Sequence, residues 1–303
     1  MPPSFRQSLH SILLACFGWF LFCICDATSK WLVKDVSAFQ ILAISGIFGS
    51  LVITPWILWH HGPAGFLTPK WRWYVVRSLS QITSSFCAIK ALSTIPLSDF
   101  YGIIFLTPMM TALMAAFFLG ERIGTWRIGA IAFGFMGVLI IAGPSFASHN
   151  IGYLYALGSV FCATLSAICI RRIGKEAVPA RFVFYPFAIS LFVYVPATFL
   201  HGWTMPPSLT DTILLFSFGP AAVVGILAYS AAFSRAREVA VVAPFHYTQM
   251  IWGSLFGYIF FSDIPAITTF IGALIIVTAG VVIIWREHLH HVQIATMAAE
   301  TPV

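Results

Sequence analysis

The chain has 303 residues, of which 59% are hydrophobic and 9% are charged, and its mean hydropathy is +0.92. So few polar groups cannot cover the surface of a soluble protein, which excludes a water-soluble enzyme. The net charge of +6 comes from basic residues between apolar runs, where they set orientation in a membrane and do not indicate nucleic-acid binding.

Apolar runs separated by charges, Pro or Gly predict an all-α integral membrane protein with ten spans, each about 20 residues long. The six cysteines lie within these runs without Cys-x-x-Cys spacing, and the chain has no phosphate-binding loop, so we expect no metal and no cofactor. In chain order the predicted spans are 9–32, 38–59, 73–93, 96–119, 126–143, 151–170, 182–200, 212–234, 239–261 and 265–285.

The distribution of basic residues predicts the orientation of these spans. With a cytoplasmic N-terminus, only Lys30, Lys34 and Lys90 of the 16 Lys and Arg residues fall in outside segments. Such a bias is typical of polytopic membrane proteins, whose inside loops are rich in Lys and Arg. We therefore expect both termini to be cytoplasmic, in a bacterial-type cytoplasmic (inner) membrane.

The two halves of the chain share a pattern. The segment Phe118–Glu121 and the Gly129-Ala130 pair that follows it recur as Phe260–Asp263 and Gly272-Ala273. Because each half has five spans, an odd number, the second copy must enter the membrane from the opposite side. The pattern predicts two inverted five-helix repeats, a construction that places the substrate site of secondary transporters at the repeat interface.

Five longer motifs are Ile95–Asp99, Phe105–Pro108, Phe118–Arg122, Ala243–Tyr247 and Gly257–Pro265. They resemble the drug/metabolite transporter superfamily and, within it, the ten-span EamA family. The resemblance implies a first EamA repeat at 1–145, a second at 146–287 and a cytoplasmic tail at 288–303. It also implies export or uptake of a small organic metabolite by alternating access, without ATP. In addition, Asp26–Leu32 is similar to the first-span motif of the S-adenosylmethionine-transporter-like branch.

Polar side chains in the first span are candidate substrate ligands, because charge inside a bilayer is costly and is kept facing a cavity or a partner. Trp19, Cys23, Asp26 and Lys30 recur at helical spacing. Asp26 and Lys30 are four residues apart and can neutralise each other, or open to a zwitterionic substrate. Alternatively, Lys30 snorkels to the outer interface with Asp26 as its counter-ion.

Spans three and four contribute two further candidates. Gln81 either lines the cavity or makes a hydrogen bond between helices. Asp99 and Lys90 lie on either side of a short turn and can close an outer gate or bind substrate. The alternative for Asp99 is an acid that stabilises the start of its own helix.

Span nine carries His246, Tyr247 and Gln249, and His246 is the only histidine clearly within a predicted span. Histidine titrates near neutral pH, so His246 can couple transport to protons. Alternatively, it packs as a neutral, hydrogen-bonded ring.

Together with the family resemblance, these residues favour a secondary active transporter for an amino acid, a nucleoside-like compound or a related metabolite. Ser45 stands where many similar proteins carry an Arg, which argues against a strongly anionic substrate. Two other classes stay open: a membrane-embedded enzyme, and a non-transporting membrane interaction protein or channel. The expected partners are a small-molecule substrate and the lipid bilayer, with proton coupling and a homodimer as open alternatives.

Overall fold

The computed structural model describes residues 3–120, 125–143, 150–174, 178–235 and 243–282. All regular structure in these residues is helical, which confirms the predicted class. Two 3-10 turns, Pro63–Phe66 and Ala243–Tyr247, accompany the α-helices. The helices are α1 (Pro3–Leu32), α2 (Ala38–His61), α3 (Trp71–Leu92), α4 (Leu97–Ile104), α5 (Thr107–Leu119), α6 (Thr125–Ala142), α7 (Ile151–Ile173), α8 (Pro179–His201), α9 (Leu209–Arg235), α10 (Thr248–Phe261) and α11 (Ile267–Val282).

Six helical segments are long and apolar enough to cross a membrane: His10–Leu32, Ala38–His61, Leu97–Phe118, Ile151–Ile170, Pro179–His201 and Leu209–Ala232. Two shorter apolar helices, Ile128–Ala142 and Ile267–Val282, accompany them. Helices satisfy their own backbone polar groups, so such a set is suited to a lipid environment. Three predicted features, the Arg235–Glu238 turn, the Glu121-Arg122 pair and the tail at 288–303, lie wholly or partly outside the described residues.

The predicted fourth span is not one continuous helix, because α4 ends at Ile104 and α5 begins at Thr107. Pro108 has no N–H with which to bond the carbonyl of Ile104. The hydroxyl of Thr107 donates to that carbonyl instead. The described part of predicted span nine begins with a comparable irregularity, the 3-10 turn before α10, where the Thr248 hydroxyl donates to the Phe245 carbonyl at 2.6 Å.

The most extensive helix contacts join the first half of the chain to the second. Helix α3 packs along α7, and α1 packs along α9 in the corresponding way. Helices in equivalent positions of the two halves also meet each other, as α2 meets α8 and α4 meets α10. The centre of the molecule is therefore an interface between the two halves.

Equivalent helices run antiparallel where they meet. On α2 and α8, Gly46 packs against Ser190, and Gly49, further along α2, packs against Phe187, which comes earlier on α8. The same reversal occurs between α4 and α10, where Leu97 lies beside Gly257 and Tyr101 beside Gly253. Glycine permits this close approach, since a side chain at Gly46 or Gly253 would collide with the opposite helix.

The turns that close α5 and α10 repeat the same backbone conformation. Helix α5 ends at Gly120 with φ of 69°, and α10 ends at Ser262 with φ of 55°, both in the left-handed region. After Ser262 the amide of Asp263 donates to the carbonyl of Gly257 at 2.9 Å, which satisfies the end of the helix. This conformation directs the chain back over α10 and fixes the position of Asp263.

Candidate functional site

Trp19 of α1 lies at the centre of an aromatic cluster built from both halves of the chain. Its indole stacks on the ring of His246 with a centroid distance of 4.2 Å and an interplanar angle of 13°. The ring of Tyr229 on α9 meets the indole edge-on at 4.9 Å. The ring of Phe105 is perpendicular to that of His246, at a centroid distance of 5.7 Å. We call these four rings the Trp19 platform.

Asp26 places a carboxyl group on the same face of α1 as Trp19. Seven residues separate the two, which is close to two helical turns and about 10 Å along the axis. The hydroxyl of Tyr101 on α4 donates to Oδ2 of Asp26 at 2.7 Å. Between them, Cys23 is fully buried and its thiol lies 3.8 Å from the carbonyl of Gln249.

The platform and the Asp26 carboxyl group lie in the middle of the helices without being completely buried. Asp26, Tyr229 and His246 lie deep among the helices, surrounded by protein. Each nevertheless keeps part of its surface accessible, unlike the core residues packed around Tyr101.

The predicted pairing of Asp26 with Lys30 is wrong in this structure. The ammonium of Lys30 donates to Oδ2 of Asp263 at 2.8 Å and to the carbonyl of Ile95 at 2.9 Å. The left-handed turn at Ser262 places the carboxylate of Asp263 beside Lys30, while the carboxyl group of Asp26 accepts a hydrogen bond from Tyr101. In the described part of the chain, Asp26 therefore has no cationic partner.

The predicted pairing of Asp99 with Lys90 is also not observed. Asp99 is buried, and its two carboxyl oxygens accept hydrogen bonds from Tyr153 of α7 at 2.7 Å and Thr269 of α11 at 2.6 Å. Asp99 lies in the first turn of α4, which agrees with the alternative that it stabilises the start of its own helix. Because the bonded hydroxyls come from the second half, Asp99 joins the two halves at this end.

Gln81 takes part in hydrogen bonding between α3 and α7. Its side-chain oxygen accepts from the hydroxyl of Ser166 at 3.2 Å. One turn further along, Ser84 donates to the carbonyl of Ser159 at 2.9 Å. This arrangement agrees with the interhelical alternative for Gln81, whose predicted contact with substrate is untested.

The three candidates of span nine have different surroundings. His246 belongs to the platform, and the side chain of Gln249 is buried and faces it. Tyr247 turns toward α11, where its hydroxyl lies against Gly280, and its ring meets Phe105 at 5.0 Å. The structure thus brings Trp19, Asp26, His246 and Gln249 into one cluster.

Tyr101 and Tyr229 complete the cluster, although the sequence did not identify them as site residues. A tyrosine inside an apolar span carries a hydroxyl that needs a partner, and this signal was available for Tyr101. Its partner Asp26 is 75 residues away, so only the packing of α4 on α1 reveals the contact.

The two halves of the chain match the same protein family. The sequence profile of the EamA-like transporter family matches residues 9–143 and 150–286, which is most of the chain in two consecutive copies. A solved crystal structure superposes with a TM-score of 0.59, at 16% identity, over 91% of this chain and 95% of that chain. At this identity the superposition shows a shared fold alone.

Several named proteins are similar over most of this chain. An S-adenosylmethionine uptake transporter of Rickettsia bellii is 27% identical, covering 89% of this chain and 93% of its own length. The pseudopaline exporter CntI of Pseudomonas aeruginosa is 25% identical over 88% and 93% of the two chains. Human solute carrier family 35 member G1 is 26% identical over 82% and 72%.

Proposed function

Because the chain belongs to the EamA-like transporter family, as its motifs suggested, we propose that it is a secondary active transporter that moves a small organic metabolite by alternating access. Family membership identifies an integral membrane transporter and not an enzyme. The cluster of Trp19, Asp26 and His246 carries the proposal, since both halves of the chain supply its polar and aromatic groups.

The proposed architecture has ten spans in two inverted repeats, residues 1–145 and 146–287, followed by a cytoplasmic tail at 288–303. Antiparallel packing of α2 on α8 and of α4 on α10 supports the inversion, because equivalent helices of an inverted repeat cross the membrane in opposite directions. The bias of Lys and Arg supports cytoplasmic termini in a bacterial-type inner membrane.

The proposed substrate is a small organic cation with a flat ring. Asp26 supplies a negative charge, and the face of Trp19 attracts cations and stacks on planar groups. The nearest basic residue along α1, Lys30, is engaged by Asp263 and does not cancel that charge. Ser45, where an Arg would favour anions, is buried and uncharged.

S-adenosylmethionine is the first compound to test, because similar proteins carry that substrate in their names. Its sulfonium group suits the Asp26 carboxylate, and its adenine ring suits the Trp19 platform. Cationic amino acids and nucleoside-like compounds should be tested next, since the former carry a positive charge and the latter carry a planar ring.

Proton coupling through His246 is a separate proposal from substrate binding. The imidazole is enclosed by the rings of Trp19 and Phe105, and it has no carboxylate salt-bridge partner within the described residues. These surroundings favour a stacking role. A coupling role requires that the ring gain and lose a proton during the transport cycle.

Counterflow in liposomes tests the transporter proposal against a passive channel. Protein reconstituted in vesicles loaded with unlabelled S-adenosylmethionine should transiently concentrate labelled compound, with saturation. Asp26→Asn should lose this accumulation, while Asp35→Asn, which alters an exposed acid in the turn after α1, should keep it. Non-saturating flux without counterflow for S-adenosylmethionine and for a library of amino acids and nucleosides would overturn the proposal.

A further inference from the structure

A cavity lies between α1, α9 and α10, and its lining includes none of Trp19, Asp26 and His246. It encloses about 350 Å³, within the size range of small-molecule sites. The lining is almost entirely apolar and includes Phe20, Ile24, Trp31, Leu214, Phe256 and Phe261. Such walls offer little to a polar metabolite and suit a hydrocarbon chain.

The cavity opens on the outer surface of the helices. Phe260 and Trp31, which line it, are 55% and 42% exposed. Large exposed apolar side chains on a membrane protein face lipid. Trp31 also donates its indole N–H to Asp211 at 2.8 Å, as expected for an aromatic residue at the membrane–water boundary. The opening therefore lies near the level of lipid headgroups.

A positive charge stands beside this opening. The ammonium of Lys34 lies 5.2 Å from the ring of Trp31 and 5.5 Å from the ring of Phe261, both of which line the cavity. Lys34 is exposed and makes no salt bridge with any residue that the structure describes, including its exposed neighbour Asp35. Lys30, in contrast, is already neutralised by Asp263.

We propose that this cavity binds an anionic phospholipid, with one acyl chain among Phe20, Ile24 and Phe256 and the phosphate on the ammonium of Lys34. The apolar walls select a hydrocarbon chain, and the ammonium of Lys34, which makes no salt bridge within the described residues, selects a negative headgroup. The site is independent of the substrate proposal, because it shares neither Asp26 nor the Trp19 platform.

Native mass spectrometry of the delipidated full-length protein tests this site, with phosphatidylglycerol and phosphatidylcholine of identical chains as probes. The first phosphatidylglycerol should bind about fivefold more tightly, as expected for one lysine near an anionic headgroup. Lys34→Gln should remove that preference, whereas Lys90→Gln, a lysine outside the cavity, should retain it. Ile24→Trp should fill the cavity and weaken both lipids.

Persistence of the phosphatidylglycerol preference in Lys34→Gln would overturn the assignment of the headgroup. Unchanged binding of both lipids by Ile24→Trp would overturn the assignment of the acyl chain. Glycerol 3-phosphate, which carries the phosphate without a chain, should not compete at millimolar concentration. Competition by it would indicate a site for a free anion and not for a lipid.

Discussion

The ammonium of Lys30 lies 2.8 Å from the carboxylate of Asp263, although 233 residues separate them in the chain. Lys30 belongs to the last turn of α1, and Asp263 belongs to the turn that closes α10. The same ammonium reaches the carbonyl of Ile95, between α3 and α4, at 2.9 Å. One side chain therefore ties three segments from both halves at this end of the molecule.

Removing one partner of the Lys30–Asp263 pair should destabilise the protein more than removing both. Asp263→Asn leaves a largely buried ammonium without its counter-charge and should destabilise the protein by about 1–2 kcal/mol. The double variant Lys30→Gln, Asp263→Asn should recover part of that loss. Thermal unfolding in detergent measures the effect, with Asp35→Asn as the exposed control. A double variant less stable than both single variants would contradict a direct pair.

Asp26→Asn should reduce transport of a cationic substrate by about tenfold to a hundredfold, because the loss of a charged partner costs about 1.5–3 kcal/mol. Membrane insertion and abundance should stay near normal, since the amide can still accept a hydrogen bond from Tyr101. Transport assays normalised to protein in the membrane provide the measurement. Unaltered transport would remove Asp26 from the site.

Tyr101→Phe should weaken transport several-fold while preserving the fold. The variant keeps the ring on Gly253 and loses the hydroxyl that orients the Asp26 carboxyl. Tyr194→Phe is a matched control, because its buried hydroxyl donates to the carbonyl of Ile82 outside the site. Both variants should lose about 0.5–1.5 kcal/mol of stability. Equal transport by the two would assign Tyr101 a purely structural role.

Trp19→Ala should weaken binding of a flat cation by about 1–2 kcal/mol, which corresponds to about fivefold to thirtyfold in affinity. Trp19→Phe retains an aromatic face and should recover part of the loss. Competition of unlabelled substrates in the counterflow assay gives the affinities. If the alanine variant discriminates between charged and neutral analogues as well as the native protein, the platform does not recognise the cation.

His246→Gln separates stacking from proton coupling. Loss of the ring that stacks on Trp19 should raise the substrate concentration needed for half-maximal transport. Histidine ordinarily titrates between about pH 5.5 and 7.5, so transport should be compared over this range. If stacking is the only role of His246, the variant and the native protein should show the same dependence of transport on pH. A flattened profile in the variant would assign the coupling proton to His246.

The sequence predicted the all-helical class, and six of the described helical segments are long and apolar enough to cross a membrane, because long apolar runs are a strong signal. Helical spacing also placed Trp19 and Asp26 on one face of α1. The same spacing suggested the wrong partner for Lys30, since it reports which residues can meet within a helix and not what a neighbouring turn brings closer. Contacts such as Trp19 with His246 depend on how the two halves pack, which the sequence pattern alone does not specify.

Tyr101 has its ring on Gly253 of α10 and its hydroxyl on Asp26 of α1. A change in the crossing angle of α4 and α10 would therefore either break the hydrogen bond between Tyr101 and Asp26 or move α1 together with α4. In the proposed alternating access, a substrate that displaces the Tyr101 hydroxyl from Asp26 would also remove one contact between α4 and α1. Tyr101 would thereby link occupancy of the Asp26 carboxyl group to the packing of α1 against α4.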